Sequence, residues 1–257
     1  MMKKIGWQGG RSQFIVRSSE IDARGLATLP SLLTYMQEAA WDNTATLGIS
    51  IYDLLEKGLT WVLQRMRVEM FRYPKHREEL TVETWASGQE KVFLHRDFRL
   101  YSQERELLGQ ATSVWLVMDV AKRQMVAVPD FITAVAVAPG RASLPFAKGK
   151  LPVLAEVAYE QHTTVRWHHT DLNRHVNNTW YLRWALASLP VELLEQAYLR
   201  ELDIIFRAES TLNDTVVAAA SPAFESNTYL HRLYNQLTGK ELVQAKSNWK
   251  YEPTKLN

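Results

Sequence analysis

The chain has 257 residues, room for one large domain or two of about 130 residues at the usual ~150 residues per domain. Its 30 Lys and Arg against 28 Asp and Glu leave a formal charge of +2, too even for a dedicated nucleic-acid binder, and 46% hydrophobic with 23% charged residues is ordinary globular composition. Cysteine is 0, which excludes disulfides, thiolate metal sites and a cysteine nucleophile, and fits a reducing compartment.

Residues 1–11 are basic but lack the apolar run that a secretory signal carries after its charges. No apolar run reaches the ~18 residues of a membrane span; that at 131–138 is short and ends at Pro139. A cytoplasmic protein without membrane insertion is expected. Pro30 suits a first helical turn; Leu32, Leu33, Met36, Ala40 and Leu47 recur at helical spacing, and Gly48 is a fitting stop. Runs of alternating, aromatic or β-branched character follow at 60–71, 80–87, 92–101 and 107–120, separated by Pro74, Gly88 and the polar stretch 102–106, and these read as antiparallel strands. The segment 139–152, punctuated by Pro139, Gly140, Pro145, Gly149 and Pro152, reads as a linker. Beyond it the plan recurs: a helix over 178–189 stopped by Pro190, then strands at 198–207, 215–220, 229–237 and 241–251. Helix first and strand meander second predicts an α+β layer in which a curled sheet wraps the helix, built once over residues 1–138 and again over 153–257.

Three echoes in the same order support a duplication. Val16-Arg17, with Asp22 after it, matches Val165-Arg166 and Asp171 at an offset of 149. Phe93-Leu94-His95-Arg96 resembles Tyr229-Leu230-His231-Arg232 at an offset of 136, and the strand ending at Trp115 matches the one ending at Trp249 at 134. His95-Arg96 and His231-Arg232 recur in both copies and are read as structural.

The densest set of functional side chains is His168-His169-Thr170-Asp171-Leu172-Asn173-Arg174-His175-Val176-Asn177-Asn178, directly ahead of the second helix. Asp171, Asn173 and His175 stand at alternate positions, so an extended segment turns all three to one side. That supplies a carboxylate, a neutral donor and a proton shuttle together. The first copy, Asp22-Ala23-Arg24-Gly25-Leu26, keeps only the acid, so one site per chain is expected. Asn177 and Asn178 suit helix capping, and His168 suits a surface or packing position. A metal on His169, Asp171 and His175 is disfavoured, since no H-E-x-x-H spacing is present. The G-x-S-x-G, P-loop and G-x-G-x-x-G signatures are absent as well.

The run Asp171-Leu172-Asn173-Arg174-His175-Val176-Asn177-Asn178, followed by Tyr181 and Trp184, resembles the signature of the acyl-acyl carrier protein thioesterases, enzymes of the double hotdog fold. Phe206-Arg207-Ala208-Glu209-Ser210 is similar to the family's stretch that holds a catalytic Glu beside a Cys; here Ser210 replaces the Cys, so no thiol can act. The resemblance covers residues 12–252. It implies two tandem hotdog repeats and release of free fatty acid from acyl-acyl carrier protein in fatty acid biosynthesis, with no cofactor and no metal. Asp171, Asn173, His175 and Glu209 would be the catalytic set, although Glu209 taken alone also suits a surface acid. Which carboxylate activates water, and whether attack is covalent, stays open. The resemblance further implies an acyl tunnel lined by Met36 and Ala40 of the first helix with Val62, Met66 and Val68 of the first strands; read alone, the helix is ordinary core. His169 stands where plant members commonly carry Asp, and the plant transit peptide is lacking, so a bacterial, cytosolic origin is expected.

Arg166, Arg174, Arg183 and Arg207 lie near the cluster in sequence and could receive an acidic carrier protein, or be solvated surface charge. Two rivals stand beside the main reading: an acyl-coenzyme A thioesterase, and a non-catalytic acyl-binding sensor on the same fold. Monomer and homodimer are both compatible with a fused pair of repeats.

Overall fold

The structure is a computed structural model and describes residues 9–135 and 149–251. Contacts divide the chain into two compact units, Met1–Phe146 and Ala147–Asn257. Most of the expected linker, 139–148, lies outside the described residues.

In the first unit β1 (Gly10–Ile15) leads through a single 3-10 turn at Ser18–Glu20 to α1 (Leu29–Thr46) and α2 (Ile51–Leu55). Four long strands follow, β2 (Leu59–Met70), β3 (Glu79–Glu90), β4 (Phe93–Ser102) and β5 (Leu107–Asp119), then the two-residue β6 (Gln124–Met125) and the short α3 (Asp130–Thr133). The sheet runs β1-β3-β4-β5-β2, antiparallel throughout, with β6 beside β5. α1 begins where Thr28 accepts the Ser31 N–H at 3.3 Å, with Pro30 in its first turn, and ends before Gly48, whose φ of +69° lets the chain turn away. It packs on β1 and β3 and buries Leu32, Tyr35, Met36 and Ala39 almost completely. Each such large apolar side chain contributes about 1.5–3 kcal/mol.

The second unit repeats the plan with β7 (Tyr159–Thr164), a 3-10 turn at Trp167–His169, α4 (Asn178–Ala187), α5 (Val191–Gln196), β8 (Ala197–Phe206), β9 (Thr215–Pro222), β10 (Thr228–Asn235) and β11 (Glu241–Tyr251). Its strand order is β8-β11-β10-β9-β7. Asn177 caps α4 by accepting the Thr179 N–H at 3.0 Å, so this asparagine has the capping role that its position suggested.

The duplication holds at the level of single hydrogen bonds. Asp22 N–H donates to Leu26 O and Asp171 N–H to His175 O, both at 2.8 Å; Thr28 N–H donates to Glu20 O and Asn177 N–H to His169 O, both at 2.9 Å. At the far end of each sheet Trp115 Nε1 donates to Ser113 Oγ at 2.8 Å and Trp249 Nε1 to Ser247 Oγ at 2.9 Å. The offsets of 149 and 134 are therefore structural. The offset of 136 between the two Leu-His-Arg runs is not. Ser113 pairs with Arg96 across β4 and β5, whereas Ser247 pairs with Tyr229 across β10 and β11, so the true partner of His231 is Phe98. The three-residue slip changes faces, because strand side chains alternate. Arg96 is buried and donates from Nη1 to Asn43 of α1 at 2.9 Å, while Arg232 turns outward to Glu241 at 3.2 Å.

A similar parity change corrects the expected tunnel lining. β2 carries a bulge between Leu63 and Arg65, so Val62 pairs with Leu116 while Met66 pairs with Ser113 and Val68 with Ala111. Leu116 sits on the opposite face of β5 from Ser113 and Ala111. Val62 therefore leaves the wall that Met66 and Val68 share. Those two residues and Met36 and Ala40 are buried in the first unit. Gly88, expected to end a strand, lies inside β3 at another bulge. The edge strands β1 and β7 and the short helices α2, α3 and α5 had no clear sequence signal.

Candidate active site

The polar cluster is not extended. Arg174 N–H donates to Asp171 O at 3.0 Å, Thr170 bridges to Val176, and Arg174 adopts φ +62°, closing a tight turn directly ahead of α4. Asp171, Asn173 and His175 are therefore gathered by a closed turn and not by the alternation of an extended segment. The Asp171 carboxylate is the hub: its Oδ1 accepts the Asn173 N–H at 2.8 Å and the His175 N–H at 3.4 Å. Asp171 as a residue is exposed, yet protein atoms crowd its carboxyl. This burial raises its pKa, against the lowering effect of the Asn173 and His175 N–H bonds and the His175 charge, while the charge of Glu209 adds to the rise.

Glu209 reaches the same centre from the chain that follows β8. His175 Nδ1 lies 3.4 Å from Glu209 Oε2, with both side chains partly buried. The stretch is docked on the turn, since Val176 N–H donates to Ser210 O at 3.0 Å and Ser210 N–H donates to Tyr181 Oη at 2.8 Å. Ser210 itself is 0% exposed, which withdraws its hydroxyl from attack on a bound substrate. Tyr181 is buried against Trp184 and Phe206, and its phenol is pushed up to about 12, chiefly by burial. Tyr181 was visible in the sequence only as a letter of the motif, without a role.

His169 is a structural residue. Its Nδ1 accepts the Arg166 N–H at 3.0 Å and its ring packs on Trp180 and Trp184 at centroid distances of 4.5 and 5.2 Å. Burial holds its pKa below the ordinary value, so the neutral ring suits that acceptor role. All four arginines are exposed, and Arg166 and Arg174 flank the turn. Arg183 lies over the Trp180 ring at 5.3 Å, and Arg207 is engaged by Glu241 at 2.8 Å and Gln244 at 2.7 Å. Among the described residues no group of three or more His, Asp or Glu side chains is placed to hold a metal.

Two units, each an antiparallel run of strands with a helix laid against it, and one polar centre in the second copy, define a tandem hotdog protein. Residues 10–136 match the acyl-ACP thioesterase N-terminal domain and residues 154–251 the C-terminal domain of the same family. The chain belongs to the acyl-ACP thioesterase family. It is 30% identical to the chloroplastic palmitoyl-acyl carrier protein thioesterase of Gossypium hirsutum over 92% of this chain and 62% of that protein. It is 25% identical to the chloroplastic oleoyl-acyl carrier protein thioesterase 1 of Arabidopsis thaliana over 95% of this chain and 76% of that protein. The chain spans about three-fifths of the length of the curated relatives it matches first. In fold it is similar to the 12:0-ACP thioesterase of Umbellularia californica, with TM-score 0.87 at 21% identity over 97% of this chain and 100% of that one. A Bacteroides thetaiotaomicron acyl-ACP thioesterase gives TM-score 0.83 at 22% identity over 95% and 98%. Among the described residues no helix is long and apolar enough to cross a membrane.

Proposed function

We propose that this chain hydrolyses the thioester of acyl-acyl carrier protein and releases free fatty acid, with Asp171, Asn173, His175 and Glu209 as the working groups. The observation that supports this most is the 3.4 Å approach of Glu209 Oε2 to His175 Nδ1, beside a turn that already carries Asp171. One Asp171 oxygen is occupied in holding that turn, which favours Glu209 as the group that takes a proton from water. The water oxygen then attacks the thioester carbonyl, the Asn173 amide holds the developing oxyanion, and the carbon–sulfur bond breaks. A thiol with a pKa near ~8.5 leaves with little help, and the proton that Glu209 took from water passes across the 3.4 Å contact to His175, which delivers it to the thiolate. One oxyanion donor is worth about 10² to 10³ in rate, so a modest set of groups suffices.

The acyl chain is assigned to the apolar layer formed by Met36, Ala40, Met66 and Val68, where each buried CH₂ contributes about 0.8 kcal/mol. All four arginines are exposed, and Arg166 and Arg174, which flank the turn itself, are the parts of the set best placed to meet an acidic carrier. Arg183 and Arg207, with their partners at Trp180 and Glu241, belong to its margin. A reducing, cytoplasmic setting goes with this reading and is supported by the absence of cysteine.

The test offers acyl-acyl carrier protein and acyl-coenzyme A of graded chain length and reads released thiol with a thiol reagent. Cysteine is 0 in the enzyme, so the signal has no protein background, and cysteine alkylators leave activity intact. Faster release from the carrier substrate than from coenzyme A of equal chain length is the expected result. Preference for coenzyme A would move the assignment to that substrate, and release from neither would leave an acyl-binding sensor.

A further inference from the structure

Where the turn ahead of the helix meets the chain beyond the strand, the two copies share one hydrogen bond and differ in a second. In the first unit Ala27 N–H donates to Pro74 O at 2.8 Å, and in the second Val176 N–H donates to Ser210 O at 3.0 Å. Pro74 has no N–H to satisfy, and the residue at the matching helix position, 149 before Tyr181, is the fully buried Leu32. Ser210 does have an N–H, and Tyr181 accepts it at 2.8 Å. The copy with a backbone donor at this point is thus also the copy whose helix supplies an acceptor. A buried amide without one is costly.

Both main-chain groups of Ser210 are thereby tied to the segment that carries His175. Its carbonyl is held by Val176, the residue after His175, and its amide by Tyr181 in the first turns of α4. Glu209 is the preceding residue, and its carboxylate ends 3.4 Å from His175 Nδ1. The Tyr181 ring cannot swing away: it is 1% exposed and packed edge-on to Trp184 at 5.7 Å, with Phe206 of β8 at 6.4 Å.

We propose that Tyr181 is a positioning residue of this centre, its phenol oxygen fixing the Ser210 main chain so that the Glu209 carboxylate stays against His175. The proposal rests on the thioester-hydrolase reading of the site, and Tyr181 acts through Glu209 without touching substrate. Displacing a reacting group by about 1 Å can cost on the order of 10²-fold in rate, so a loosened Glu209 lowers turnover while leaving acyl binding in place.

The experiment breaks the same bond from both ends in the full-length protein. Tyr181→Phe removes the acceptor and keeps the ring packing; Ser210→Pro removes the donor and copies the residue that the first unit holds at this point. We expect each to lower kcat about tenfold with KM for the acyl thioester within twofold of wild type. The double variant should be no slower than the slower single one, because one interaction is lost once. Tyr181→Phe retaining kcat within twofold while Glu209→Gln is inactive overturns the proposal, as does a double variant whose losses multiply. Full activity in Glu209→Gln would instead withdraw the functional assignment beneath it, and the proposal with it.

Discussion

Around Asp22 the carboxylate accepts N–H groups from Arg24 at 2.9 Å and Leu26 at 3.2 Å; around Asp171 it accepts them from Asn173 at 2.8 Å and His175 at 3.4 Å. The backbone closure is the same in both, with Gly25 at φ +76° where the second copy holds Arg174 at +62°. The side chains differ at each position that matters chemically. Arg24 clamps the free Asp22 oxygen at 2.7 Å, whereas the corresponding Asn173 brings no cation. Leu26 stands where His175 does, and Tyr73, ahead of Pro74, stands where Glu209 does. An aspartate in this turn is thus first a device for closing the backbone ahead of a helix. In the proposed function it joins the chemistry only in the second copy, where that salt bridge is absent and a second acid and an imidazole stand beside it.

The comparison can be broken most forcefully by rewriting the second turn as the first. His175→Leu combined with Glu209→Tyr should lower kcat by at least about 10², the usual worth of a positioned acid–base group, with an unfolding temperature within a few degrees of wild type; retained turnover in thiol-release assays would remove both residues from the mechanism. A smaller effect concerns His231, whose counterpart is Phe98. Burial pushes the His231 pKa down to about 4, with its Nε2 2.8 Å from Ser247 Oγ. A depressed folded-state value means that stability is full above the ordinary 6.5 and is lost as pH falls from there through about 4. His231→Phe should flatten the unfolding temperature across that window, as calorimetry against pH would show. An unflattened curve would place the acid sensitivity elsewhere.

The crowded Asp171 carboxyl sharpens the same contrast. Its raised pKa means that stability is lost progressively as pH rises from the ordinary 3.8 through the folded value, while below 3.8 the cost is absent. Asp171→Asn should therefore unfold slightly higher than wild type at pH 7, with no difference below pH 3.8, while activity is lost; a lower unfolding temperature at pH 7 would contradict this. Smallest is the backbone of Arg174, held in the left-handed region that glycine occupies in the first copy. Arg174→Gly should stabilise by about 0.5–1 kcal/mol at most, which denaturant titration can read.

Much of this was legible because it depends on local chemistry. Helix spacing, Pro30, Gly48 and Pro190 located α1 and α4, and alternation located the eight long strands to within a few residues. The Asp171 to Asn178 run and Glu209, singled out in the sequence, lie together in the structure, with His175 Nδ1 3.4 Å from Glu209 Oε2. What escaped was what pairing decides. A bulge at Gln64 turns Val62 off the wall it was assigned to, and a three-residue slip separates His95 from His231; neither leaves a trace in composition, since both are set by which residue the neighbouring strand presents. The closed turn was missed because an arginine in the left-handed region gives no glycine signal. Tyr181 was overlooked because its partner is a backbone amide.

The most direct test of the account measures thiol release from acyl-acyl carrier protein by Asp22→Ala and Asp171→Ala side by side. Both lose the same pair of turn hydrogen bonds. The account predicts that Asp22→Ala keeps the wild-type kcat at a lowered unfolding temperature, while Asp171→Ala loses turnover. Equal losses of kcat in the two, or full turnover in Asp171→Ala, would contradict the placement of the chemistry in the second copy.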